Sequence, residues 1–177
     1  ASGTWSDAGN WTVAPAEESA VRFDNIITAP VTITVAGQTA GDLYFNNTNA
    51  YTLAGSGLSL KKDATTHVES GSHAIHAPLA ITGDNTVLLS PNTALQLTSI
   101  SGPSSHLTIQ GNGALVLTGT PDVNTLALDI PSVTFSNTIT ITAPVSLGRT
   151  TTLTPAINTD VTLANTLTGA AGITKSG

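Results

Sequence analysis

Cysteine and methionine are both absent from the 177 residues. Without cysteine there is no disulfide framework and no thiolate metal site. Without an initiating methionine, the chain is expected to be processed or to be a piece of a longer one. Charge is scarce: 9% of residues are charged, against roughly 25% in an ordinary soluble domain. The net charge is −6, and the only permanent cations are Arg22, Lys61, Lys62, Arg149 and Lys175. Nucleic-acid binding needs clustered cations to neutralise phosphates, and one Lys-Lys pair is not a patch, so nucleic acid is not an expected partner. No apolar run approaches the roughly 18 residues that cross a bilayer, so no membrane-spanning segment is expected. The opening Ala1-Ser-Gly-Thr-Trp5 has no basic or apolar leader character, so any signal peptide is removed or lies outside. Aromatics are few: two Trp, two Tyr and three Phe.

Threonine, Ala, Ser, Asn, Gly, Leu, Ile and Val carry the chain instead. β-Branched residues suit a pleated, half-buried surface, and Gly, Asn and Asp suit turns. Strand-like runs lie at 31–35, 43–45, 51–53, 86–89, 94–98, 107–109, 114–117, 133–135, 138–142, 151–153 and 161–163, and most show apolar residues at every second place. This is the period of strands with one buried face. Turn formers separate them, such as Asn46-Asn47, Gly83-Asp-Asn85 and Gly111-Asn-Gly113. No stretch carries a capped 3.6-residue stripe, so the chain reads as all-β.

One phrase recurs as Ile27-Thr-Ala-Pro30-Val-Thr-Ile33, Ile75-His-Ala-Pro78-Leu-Ala-Ile81 and Ile141-Thr-Ala-Pro144-Val-Ser-Leu147. The starts at 27, 75 and 141 lie 48 and 66 residues apart, which suits two and three coils of about 22 to 24 residues in a stacked repeat. The three prolines hold one place in the phrase, as corner residues needing no ladder N–H would. The expected fold is a right-handed parallel β-helix with a Trp-containing N-terminal cap over residues 1–25 and a repeat region over 26–177. An antiparallel β-sandwich is the alternative. Leu107-Thr-Ile-Gln-Gly111 matches Ile173-Thr-Lys-Ser-Gly177, after which the earlier copy continues and the later one stops. A longer parent chain is therefore expected.

Several segments together resemble the autotransporter-associated β-strand repeat proteins, passenger-type surface proteins of Gram-negative and related bacteria. They are Thr4-Trp5-Ser-Asp-Ala-Gly-Asn-Trp11 with Val21-Arg-Phe-Asp24, the run from Gly41 to Gly57, the run from Glu69 to Leu79, and the closing Leu167 to Gly177. The likeness covers nearly the whole chain and is weakest over 120–137. It implies export, an extracellular or outer-surface location, a β-helical stalk and non-enzymatic display. No membrane-anchoring β-barrel lies within these residues.

Candidate sites each have a plainer reading. His67, His73 and His76 cluster in sequence, with His106 further on, and imidazoles can hold zinc or copper. However, His76 fills the slot that Thr28 and Thr142 fill in the sister phrases. His73 and His76, three apart, would also face opposite ways on one strand. No metal or cofactor is expected. The eleven carboxylates are scattered, Glu17-Glu18 being the one adjacent pair, and Asp63 and Glu69 near Lys61 and Lys62 are the only local mixture. Polysaccharide chemistry on a β-helix needs acids converging on one face. There is no G-x-S-x-G, P-loop, H-E-x-x-H or G-G-x-G-x-D, and no enzyme is expected. Trp5 and Trp11 are the candidate carbohydrate contacts, against the plainer reading that they cap the first coil. Outward Thr rows raise ice binding, although the spacing is not strictly one Thr per coil. The expected function is a structural or adhesive surface solenoid, as a stalk or a head-to-tail fibre. Carbohydrate or ice binding is the alternative, and a polysaccharide-active β-helix stands behind it. Surface glycans and further copies of the chain are the partners to consider.

Overall fold

The computed structural model describes residues 2–176. Gly177, the last residue of the closing phrase, lies outside them. The described residues contain no α-helix and one 3-10 turn, Ala8–Asn10. All strand pairings are parallel, stacked in about 7 turns, so the chain is a β-solenoid. The sandwich alternative needed antiparallel pairs, and none occurs among the described residues.

Three ladders run along the solenoid. Ladder A stacks nine strands, from Ser2–Thr4 through Ser72–Ile75, Ala94–Leu97, Ala114–Leu117 and Ser132–Phe135 to Ile173–Lys175. Ladder B joins residues 38–40, 58–60, 79–80, 100–102 and 121–123, while Ile139–Ile141 and Val161–Leu163 form a separate pair. Ladder C runs from Val21–Phe23 and Leu43–Asn46 through Thr65–Ser70 and Asp84–Leu89 to Val145–Leu147 and Leu167–Thr168.

Alternation along each strand places one set of side chains inside, and in-register stacking turns that set into columns. One column of ladder A reads Ile33, Leu53, Ile75, Leu97, Leu117 and Phe135, all buried. On ladder C, Leu43, Thr66, Val87, Ile109, Leu128 and Leu147 do the same. The columns merge into a single core.

The recurring phrase marks corners, and it falls on a different corner each time. Val31 to Ile33 enters ladder A, Leu79 to Ile81 enters ladder B, and Val145 to Leu147 enters ladder C. Hence the 48- and 66-residue intervals are not whole numbers of coils. Paired residues on ladder A are 22 apart from His73 to Leu95, 20 from Leu95 to Leu115, 18 from Leu115 to Val133, and 22 again from Leu153 to Lys175. The phrase recurs because each corner poses one problem. At 75–79, Ile75 ends a strand, Ala77 is a small buried pivot, and Pro78 sits where no N–H is required. The Pro78 and Pro144 carbonyls still join the ladders, accepting from the Leu58 and Leu126 amides at 2.9 and 3.0 Å.

Glycine is required where a chain turns against the coil beneath. Gly111 has φ 120°, and a Cβ there would overlap the Leu89 carbonyl oxygen.

Candidate functional site

The first coils hold most of the aromatic side chains. Phe23 and Phe45 stack at 4.9 Å, Tyr51 lies 5.2 Å from Phe23, and His73 lies 5.0 Å from Phe45. Trp5 and Trp11 close over this group, 5.3 Å apart, and each meets Phe23. The Trp11 indole N–H donates to the Trp5 carbonyl at 2.7 Å. Trp5 is only 5% exposed, so its ring belongs to the packing of the N-terminal end. Trp11 is half-buried and lines a hollow of about 690 Å³ with Val21, Phe23, Ile27, Ile33 and Tyr51. The segment 1–25 also supplies ladder strands, Ser2–Thr4 and Val21–Phe23, so it extends the solenoid as well as covering it.

Polar clamps fix the loop over the hollow. The Asn47 side-chain amide donates to the Asp24 and Ile27 carbonyls at 3.2 and 3.3 Å, and Asn49 donates to Ile27 at 3.1 Å. The Tyr51 hydroxyl donates to the Asp24 carbonyl at 2.8 Å. Burial raises the phenol above its usual pKa, which the Asn47 hydrogen bond partly offsets.

The four histidines take four separate places. His73 is buried in an inward column of ladder A, between Tyr51 and Leu95. Its Nδ1 accepts the Tyr51 backbone N–H at 3.0 Å, which leaves Nε2–H to donate to the Ser70 carbonyl at 2.7 Å. That pair of bonds specifies the neutral ring, and burial holds its pKa below the ordinary value. His76 is exposed at the corner between ladders A and B. His106 is exposed on ladder C, with Nδ1 2.6 Å from the Thr125 hydroxyl. His67 stacks on Tyr44 at 4.4 Å and 4°. Among the described residues, no three His, Asp or Glu side chains gather so as to hold a metal ion.

Tyr44 and His67 belong to an outward column of ladder C that begins with Arg22 and continues to Leu88, Gln110 and Asp129. The Arg22 guanidinium lies 4.6 Å from the Tyr44 ring centre and pairs with Asp24 at 3.4 Å and Glu69 at 3.7 Å. Rings stacked one per coil cover each other's faces, so this column offers edges and charge rather than a platform for a sugar ring. The sequence signal for it was the 22- and 23-residue spacing of Arg22, Tyr44 and His67, which is invisible until the coil length is known.

The local mixture of charges separates in space. Lys62 pairs with Asp63 at 3.7 Å on an exposed corner, while Glu69 turns to Arg22. Asp63 spends its other oxygen on the Asp84 backbone N–H at 2.8 Å. Glu17 and Glu18 are exposed, and the Glu18 amide donates to the Thr39 carbonyl. Asp63 thus caps a turn as well as pairing with Lys62, and Glu69 shares the Arg22 guanidinium with Asp24, contacts that organise backbone and surface. No protein-family model, curated protein or solved structure matches the chain.

Proposed function

We propose that this chain is a structural or adhesive segment displayed outside a bacterial cell, with the solenoid itself as the working part. The observation that carries this reading is the continuous parallel stacking, about 7 turns on one aliphatic core. Backbone ladders that run coil to coil spread load along many hydrogen bonds, and a solenoid of this kind is a stiff spacer. The low charge and the outward Thr, Ser and Asn leave its sides hydrated without a strong field. The resemblance to passenger-type repeat proteins supports export and non-enzymatic display, as a stalk or as copies associated head to tail.

Two measurements test the reading together. Antibody labelling of intact source cells should detect the chain, and labelling should be lost after external protease under conditions that strip the surface. The purified chain should resist protease and unfold at high force along its axis. Confinement to the cell interior, or turnover of a polysaccharide panel by the purified chain, would overturn it.

A further inference from the structure

Charge is distributed unequally between the ladders. Ladder C carries Arg22, Glu69, Asp84 and Asp129 outward, and ladder B carries Asp122. Among the described residues, no Asp, Glu, Lys or Arg projects outward from ladder A, since Lys175 continues the inward column of Leu153. The central outward column of ladder A reads Thr32, Thr52, Ala74, Gln96, Val116, Thr134 and Thr154. That order is nearly the same in both directions about Gln96. Ala94 and Ala114 flank Gln96 and Val116 in the next column, so small and apolar side chains surround one central amide and both ends are hydroxylated.

We propose that ladder A is the face through which two copies of this chain pair side by side, antiparallel, about a two-fold axis at Gln96. A two-fold interface needs a surface complementary to itself. The column supplies one: Gln96 meets Gln96, Val116 comes over the shallow place where Ala74 is buried, Thr52 meets Thr134 and Thr32 meets Thr154. Each Gln96 amide carries both donor and acceptor, so the two satisfy one another across the axis. An apolar centre with a polar margin is the usual anatomy of a protein interface. Short side chains let two sheets approach to about 10 Å. At about 4.8 Å per strand and two outward columns about 7 Å wide each, nine strands offer about 38 by 14 Å. A pair would bury roughly 1,000 Å² in all, about the threshold for a specific interface. Ladder A is the face on which pairing sets no like charges against each other, since the described charges lie on the other ladders and at the corners. The pairing is lateral and independent of whether copies also associate end to end.

Sedimentation of the purified chain across a concentration series tests the proposal. The unsubstituted chain should pass from monomer to dimer. Gln96→Glu keeps the side-chain shape but sets two carboxylates against each other, and should raise the dimer Kd roughly tenfold or more. Val116→Lys should do the same through a charge buried in each half. Gln110→Glu makes the first change on ladder C and should leave the dimer intact. Matching thermal melts of the monomers would show that each variant is folded. A chain monomeric throughout, or a dimer indifferent to both ladder A variants, overturns the pairing. So does a monomer that uses Gln96 and Val116 to bind ice crystals or a neutral glycan.

Discussion

The first coils and the last ones share the same ladders and differ in what fills them. Near the N-terminus the interior holds Phe23, Phe45, Tyr51 and His73, pinned by Asn47, Asn49 and the two tryptophans. In the middle it turns mainly aliphatic, with Leu95, Leu97, Ile109, Leu115 and Leu117 no more than 2% exposed. Beyond Leu153 no described residue is buried, Leu167 is 45% exposed, and Lys175 occupies a column that Leu95 and Leu153 fill above it. In a stacked fold, each coil is held chiefly by its neighbours, so a coil is as stable as the columns it completes. Backbone pairing alone therefore does not make the coils equivalent. How completely each column is covered grades the stability of these 177 residues from one region to the other.

The largest expected effect breaks that gradient in its middle. Leu117 sits between Leu97 and Phe135 in a fully enclosed column. Leu117→Ala leaves a cavity that stiff ladders cannot close, and should cost about 2–5 kcal/mol in denaturant unfolding. Ile173→Ala removes a half-buried side chain from the last coil and should cost about 1 kcal/mol or less, in proportion to the area it shields. Equal losses at the two positions would show that the coils unfold as one unit with no gradient.

A backbone change ranks next. At Gly111 the left-handed φ and the Leu89 carbonyl beneath leave no room for a methyl group. Gly111→Ala should therefore cost about 1–3 kcal/mol or more. Gly37 also has a positive φ, 81°, but open space around it, and Gly37→Ala should cost only the conformational strain, about 1 kcal/mol. Comparing their melts separates the close approach of coils from the φ angle itself.

His73 ties the aromatic region to pH. Its folded pKa is depressed below the unfolded value of 6.5, chiefly by burial. The unfolded chain then binds more protons, so the contribution of His73 is complete above 6.5 and is lost as pH falls toward the lower folded value. The groups packed on the ring are Tyr51, Phe45 and Leu95, with Asp24 and Glu69 directed to Arg22, so no carboxylate compensates the charge. His73→Phe preserves the stack but orphans the Tyr51 N–H, and should cost about 1–3 kcal/mol at neutral pH. The same variant should flatten the acid side of the stability profile below pH 6.5. An unchanged profile would place the acid sensitivity elsewhere.

How much of this was legible beforehand depended on which residue faced inward. Ala114–Leu117 and Val161–Leu163 announce themselves because every inward residue is aliphatic. Thr65–Ser70 and Ser72–Ile75 did not, because Thr66 and His73 stand in the core where the alternation rule looks for Val or Leu. Pro121–Asp129 was hidden by its opening proline, which is tolerated as the first residue of a strand. The prolines of the repeated phrase were read correctly as corners. Their spacing misled, because a coil has several corners and each copy of the phrase serves another one. Trp5 and Trp11 were legible as a pair. Their division, one ring enclosed and one at the hollow, follows from the indole bond to the Trp5 carbonyl, which sequence spacing cannot show.

The smallest effect lies on the outer surface, where the comparison between regions should vanish. Arg149 reaches along ladder C, donating from Nε to Asp129 at 2.7 Å and from Nη1 to Asn112 at 2.8 Å, and so touches three successive coils. The geometry is short, but the Arg149 and Asp129 side chains are 38% and 45% exposed. Water and salt screen such a pair, and ordering two long side chains opposes it, so Arg149→Ala should cost at most about 1 kcal/mol. The cost should shrink further in high salt, since the Debye length falls to about 3 Å at 1 M. A salt-independent loss of several kcal/mol would instead make this side chain a staple between coils. Stability in the later coils would then rest on their surface rather than on the columns beneath it.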